Sequence, residues 1–279
     1  MRIDGWQYYN HALIPTTSPA ASVDTDVMQQ REFWNGNGTS IALLARWTSE
    51  FDCGRETEWW YVIKDAPFDI NLLKAKRRYE INKGIRNFEV RMIAPEKYPE
   101  ELYAVQVAAF SAYPAKYRPR VEHDEFTKSV RHWEECLVYG AFSRETGELA
   151  GYGLLKFKTA EFLEFLVLKT KPELEKYGVN AAIVAEILKS QATFLGNGGI
   201  LSDGTRSISH ETRFQDYLEK YFGFRKAYCR LHVVYNPKIR WVVRLVYPFR
   251  SFLKKMDGIG MVHQLNGVLK MEEIVRNQT

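Results

Sequence analysis

Apolar and polar positions change rhythm along the chain. Residues 1–35 show weak periodicity and a Thr/Ser/Pro/Ala-rich patch at 15–22, which reads as a loop-rich lead-in. Asn35-Gly36-Asn37-Gly38 is a turn signal. Stretches 40–48 and 58–64 then read as strands, with Gly54 in the turn between them. Residues 69–83 read as a helix capped at Asp69 or Asn71 and stopped at Gly84. From Phe88 the order becomes regular. Strand 88–93 is followed by helices at 96–112 and 122–135, and strands at 137–143 and 149–158 flank a hairpin turn at 145–148. The run at 161–168 (EFLEFLVL) is apolar enough for a buried central strand. A helix at 180–195, a short strand at 200–204 and a helix at 212–222 follow. The last helix carries Phe214, Tyr217, Leu218, Tyr221 and Phe222 on one stripe. Strands are expected at 227–235 and 240–246, and the tail after Pro248 is mixed.

Three consecutive strands suggest antiparallel pairing, and the later strand–helix–strand suggests a parallel crossover. The expected fold class is therefore α/β, a mixed sheet flanked by helices. Its division is expected at 1–87 (a partial domain of strands plus a basic helix), 88–247 (the regular unit) and 248–279 (a tail packed on it).

Composition narrows the class. The 279 residues are 46% apolar and 26% charged, as in an ordinary globular protein, which excludes disordered and fibrous classes. The three cysteines, Cys53, Cys136 and Cys229, are far apart and form no metal-ligating spacing, so reduced thiols, a cytoplasmic location and no metal are expected. No 18-residue apolar run predicts a spanning helix. The net charge of +5 is concentrated at 74–91 and 238–255. In the second stretch Trp241, Arg244, Tyr247, Phe249, Arg250, Phe252, Lys254 and Lys255 interleave aromatic and basic groups. This admits peripheral contact with an anionic membrane beside the simpler reading of a last strand and a packed helix.

Candidate chemistry begins at Leu166-Val167-Leu168, which leads through Pro172 to Gly178-Val179-Asn180-Ala181. A helix opening after a tight turn offers free backbone N–H groups and a positive dipole end, which suit a pyrophosphate. Downstream, Tyr217 and Tyr221 precede Gly223-Phe224. Together with the hairpin before the central strand, these features resemble the GCN5-related N-acetyltransferase (GNAT) superfamily. The resemblance implies a GNAT-like acyltransferase fold behind a partial N-terminal half-domain. It also implies acetyl-CoA as cosubstrate, bound by Leu166, Val167, Leu168, Lys176, Tyr177, Gly178, Val179, Asn180 and Ala181. Glu175 stands where the family carries a basic residue, and Asn180 where a second Gly is common. Tyr217 lies farther from Gly223-Phe224 than the family's tyrosine, and Tyr221 nearer.

Direct amine attack on a thioester needs a base, a polarised carbonyl and a proton for the leaving thiolate. A Tyr hydroxyl, at about 10, can protonate a thiolate whose conjugate acid titrates at about 8.5. Tyr217 and Tyr221 are the candidate acids. Glu164, with Glu161, is the candidate base beside the central strand, and Asp203 and His210 are rivals. A backbone N–H near Val167 or Leu168 would hold the oxyanion.

The junction at 72–91, with Arg77, Arg78, Lys83, Arg86 and Arg91, is similar to the basic helix and strand of Fem-type aminoacyl transferases, which take amino acids from aminoacyl-tRNA. That resemblance makes tRNA an alternative partner. A GNAT-like fold without catalysis, serving as a binding module, is the third reading. The amine acceptor has no legible motif.

Overall fold

The computed structural model describes residues 5–35, 41–115, 118–208, 213–257 and 260–278. The chain forms two compact units, one of Met1–Val62, Thr205–Phe214 and Lys226–Thr279, the other of Ile63–Gly204 and Gln215–Arg225.

The first unit holds β1 (Trp6–Tyr9), β2 (Ala12–Pro15), β3 (Leu44–Ser49) and β4 (Trp59–Lys64), and the late strand β10 (Arg225–Tyr235). Their order is β1-β2-β3-β10-β4. β2 and β3 are parallel, while β1–β2 and β3–β10 are antiparallel. A cluster of Trp6, Leu13, Met28, Phe33, Trp34, Ala42 and Ala45 packs at one end. A second cluster joins Trp59, Cys229 and Leu231 to Ile274 of the C-terminal helix α9 (Gly260–Asn277). The expected strand at 240–246 is instead helix α7 (Pro237–Val246). Asn236 starts it: its side chain accepts from the Lys238 N–H at 3.1 Å and donates to the Ala42 carbonyl at 2.9 Å, with Pro237 at the first helical position. α8 (Arg250–Lys254) follows after a short 3-10 turn.

The second unit holds α1 (Ala75–Asn87), β5 (Phe88–Met92), α2 (Pro99–Ser111), α3 (His123–Val130), β6 (Cys136–Ser143), β7 (Leu149–Thr159), β8 (Phe162–Thr170), α4 (Val179–Ser190), α5 (Ala192–Gly196), β9 (Ile200–Thr205) and α6 (Arg213–Phe222). The sheet runs β9-β8-β7-β6-β5. β5 to β8 pair antiparallel in succession, and β8 and β9 are parallel. α2 and α3 cover one face, with Leu102, Val105 and Val130 against Val138, Tyr152 and Leu154. On the other face, α4 lays Ile183 over Gly151 and Gly153 of β7. This mixed α/β sheet with flanking helices is the fold class expected from residue 88 onward.

Other expectations need correction. Asp69 caps only a 3-10 turn at Ile70–Leu72, and α1 runs on through Gly84 to Asn87. The expected helix at 180–195 breaks at Gln191 into α4 and α5. The lead-in contains the β1–β2 hairpin, and the tail contains an 18-residue helix.

Candidate active site

β8 and β9 are paired only at Phe162–Ile200, Leu163–Leu201 and Glu164–Ser202. Beyond those pairs β8 continues to Thr170 and β9 to Thr205, so the two parallel strands part in mid-sheet. On its other edge β8 pairs Val167 with Leu154 and Phe165 with Leu155, leaving Leu166 as the extra residue of a β-bulge. A bulge withdraws one residue from the ladder and bends its strand. Leu166 is 46% exposed, while Val167 and Leu168 are half-buried.

On β9, the residue next to the last paired one is Asp203. Ser202 is fully buried, and its hydroxyl accepts from the Gly204 N–H at 3.0 Å. Gly204 has φ +82°, in the left-handed region that glycine enters at no cost. Burial pushes the Asp203 carboxyl up to about 7, and a hydrogen bond from Gln215 of α6 pulls the other way. Such a carboxylate is poised to exchange a proton at neutral pH. Of the two rival bases, Asp203 gains this support; His210 lies outside the described residues. Gln215 carried no sequence signal.

Glu164 lies in a different environment. Its carboxylate is 3.6 Å from the Lys158 ammonium, both side chains mostly covered. Lys156 sits opposite Glu164, and Lys158 is the unpaired residue at the register shift between Phe157 and Thr159. Glu161 is exposed, and its carbonyl accepts from the Ile200 N–H at 2.9 Å.

On α6, Tyr217 and Tyr221 meet in a tilted ring contact, with centroids 5.0 Å apart and planes at 37°. Tyr217 also meets Phe222 edge-on at 5.6 Å. Burial, with Tyr221 and then Glu80 adding to it, raises the Tyr217 hydroxyl well above its ordinary value, so it is held protonated. The Arg77 guanidinium of α1 lies 6.0 Å from the Tyr221 ring, and Lys220 lies 5.3 Å from it.

The turn before α4 has the expected backbone. Gly178 has φ +87° and ends the 3-10 segment Pro172–Tyr177. Asn180 is held by Thr170, whose hydroxyl is 3.0 Å from Asn180 Oδ1 and 3.4 Å from Glu175 Oε1. Val179 and Ala181 are buried, and Tyr177 is exposed with the Lys176 ammonium 5.0 Å from its ring. The close approach that Gly178 permits is to α1. A Cβ at Gly178 would meet Gly84 N at 2.9 Å and Gly84 Cα at 3.0 Å. Asn87 further ties the helices by donating to the Tyr177 carbonyl at 3.1 Å. Gly84, read from sequence as a helix stop, is thus half of a helix–helix contact. Among the described residues no cluster of three or more His, Cys, Asp or Glu could hold a metal ion.

No known protein-family profile matches the chain, and no curated protein matches it in sequence. Solved structures do. The C-terminal domain of a lysylphosphatidylglycerol synthetase described as putative, from Agrobacterium fabrum, is similar at 12% identity with a TM-score of 0.51, over 86% of this chain and 82% of that one. L-PGS from Bacillus licheniformis covers 86% of this chain and 83% of its own at 12% identity and a TM-score of 0.49. FemX covers 67% of this chain and 63% of its own at 9% identity and a TM-score of 0.47. Acetyltransferases, one described as of the GNAT family, are also among the matches. At these identities the likeness is one of fold alone.

Proposed function

We propose that the protein is an acyltransferase in which an amine attacks an activated carbonyl directly, in a ternary complex, where β8 and β9 part. The observation that carries this reading is the conjunction of that parting, the bulge at Leu166 and the Asp203 carboxyl, raised to about 7, beside it on β9. In the proposed step the donor carbonyl lies along the free edge of β8 at Val167 and Leu168, where a backbone N–H holds the developing oxyanion. Asp203 takes the proton from the attacking ammonium or amine. Tyr217, held protonated, gives its proton to the leaving group, with Tyr221 packed against it, and the amide forms as the donor bond breaks. Glu164, ion-paired with Lys158, orients the strand edge and is the second candidate base.

Acetyl-CoA is the donor we propose, with the first-turn N–H groups of α4 at Val179, Asn180 and Ala181 toward its pyrophosphate and Lys176 and Tyr177 at the rim. One observation favours a second donor. α1 lies against Gly178 and presents Arg77, Lys83 and Arg86, which suits the phosphates of an aminoacyl-tRNA better than a narrow cofactor turn does. A thermal scan separates the two. A ligand at a hundred times its Kd stabilises the native state by about 2.7 kcal/mol. Acetyl-CoA at about a hundredfold excess over a micromolar Kd raises the melting temperature if the thioester is the donor. No shift with acetyl-CoA, together with salt-sensitive tRNA binding, transfers the proposal to the ester donor. Silence with both leaves a binding module and removes the enzyme reading.

A further inference from the structure

The stretch 237–256 contains six cations, Lys238, Arg240, Arg244, Arg250, Lys254 and Lys255, and no Asp or Glu. It folds as α7, a 3-10 turn at Tyr247–Phe249 and α8, with helical backbone at Val246, Tyr247 and Arg250 on either side of Pro248. Its two sides differ. Ile239, Val243, Val246, Arg250 and Leu253 are covered to differing degrees, with Val243 almost fully buried. Arg250 is tied inward, to Glu273 at 3.4 Å and over the Tyr247 ring at 4.4 Å. The other side carries Trp241 and Leu245, four apart on α7, Phe249 at the end of the 3-10 turn, Phe252 on α8 and Met256 just past it. These side chains point to solvent: Trp241 is 58% exposed, Leu245 70%, Phe249 63% and Phe252 63%.

Single exposed apolar residues are ordinary, but five within sixteen positions of one segment, two of them Phe and one Trp, form a patch that asks for a partner. The charges say which. Arg240 and Arg244 lie 5.6 Å and 5.9 Å from the Trp241 ring, and Lys238, Lys254 and Lys255 are exposed along the margins. A ring of cations around an apolar patch fits an anionic bilayer. Phosphate headgroups meet the Lys and Arg heads while Trp, Leu and Phe enter the headgroup–acyl boundary. A second copy of this chain would bring like charges together.

We propose that the α7–α8 face is a membrane-docking surface for anionic lipid, independent of the acyl-transfer reading. The full chain is mixed with vesicles of phosphatidylglycerol and phosphatidylcholine, or of phosphatidylcholine alone, and sedimented. The expected result is binding to the anionic vesicles, weakened at least tenfold between about 0.1 and 0.5 M salt. Leu245→Glu with Phe252→Glu should lose at least tenfold in partitioning with an unchanged melting temperature, because both side chains are in solvent. Lys238→Gln with Lys255→Gln should flatten the salt dependence while leaving residual binding. The proposal is overturned by failure to sediment with anionic vesicles, or by the Glu variant binding as the parent does. It is equally overturned if the patch variant abolishes self-association or tRNA binding in a protein that ignores vesicles.

Discussion

Gly84 and Gly178 meet backbone to backbone. A methyl group on Gly84 would overlap the Gly178 carbonyl oxygen and come within 3.0 Å of Ala182 N, and one on Gly178 would strike Gly84 N at 2.9 Å. Backbone atoms cannot move aside as a side-chain tip can. Gly84→Ala should therefore cost at least about 1–3 kcal/mol, although Ala is the better helix former. Gly178→Ala adds left-handed strain at φ +87°, about 1–2 kcal/mol. Gly147→Ala is the control: φ is +75° but nothing lies within 4 Å, so only the strain is felt. Urea midpoints at constant slope measure the three. A Gly84→Ala protein as stable as the parent would show that α1 does not bear on the α4 turn.

Asp203 sets a pH dependence with a defined sign. Its folded value, about 7, lies above the ordinary carboxyl value of 3.8, so the native state binds the proton more tightly than the unfolded chain. The stability it contributes is fully present below about pH 4 and is lost as pH rises through about 7. Asp203→Asn, which cannot ionise, should raise the melting temperature at pH 8 relative to the parent, less at pH 5 and least below about pH 4. Transfer activity should fall by about 10²–10⁴ if the carboxylate is the base, and the parent's acidic limb near pH 7 should vanish. Equal melting temperatures at pH 8 would contradict the burial argument.

The regular half of the chain was legible because its elements are long and decided by one pattern. The EFLEFLVL run became the strand β8 between two neighbours, and the Phe214–Phe222 stripe became α6. Where two patterns compete the sequence misleads. Arg240–Val246 is rich in Val and Trp, residues that favour strands, yet Asn236-Pro237 caps a helix there. β1 and β2 are four residues each, too short for a period to register, and are fixed by Trp6 and Leu13 in a tertiary cluster. In the site, the turn at Gly178 could be read locally. The Asp203–Gln215 and Lys158–Glu164 pairs could not, because each depends on register or on the placement of α6.

Glu164 and Asp203 are separable as bases. The Lys158 and Glu164 side chains are mostly covered, so Glu164→Gln leaves the ammonium without its carboxylate and should cost about 1–3 kcal/mol. If Asp203 is the base, Glu164→Gln keeps the acidic limb of the rate profile and loses less than about tenfold in kcat. A Glu164→Gln enzyme without that limb, beside an active Asp203→Asn enzyme, would reverse the assignment.

Tyr217 and Tyr221 share a tilted ring contact, so aromatic packing and proton donation must be separated by substitutions that keep the ring. Tyr217→Phe preserves the 5.0 Å contact with Tyr221 and the edge contact with Phe222, and removes only a hydroxyl that burial already holds protonated. Its fold should be unimpaired, while kcat falls by about 10²–10⁴ as the leaving group departs unprotonated. A leaving thiol of lower pKa needs that proton less. The deficit should therefore shrink when acetyl-CoA is replaced by an activated aryl thioester, measured as thiol release in the presence of amines. Tyr221→Phe should leave kcat within about threefold, since its ring supports Tyr217 and meets Arg77 without the hydroxyl. An inactive Tyr221→Phe beside a fully active Tyr217→Phe would move the acid one turn along α6.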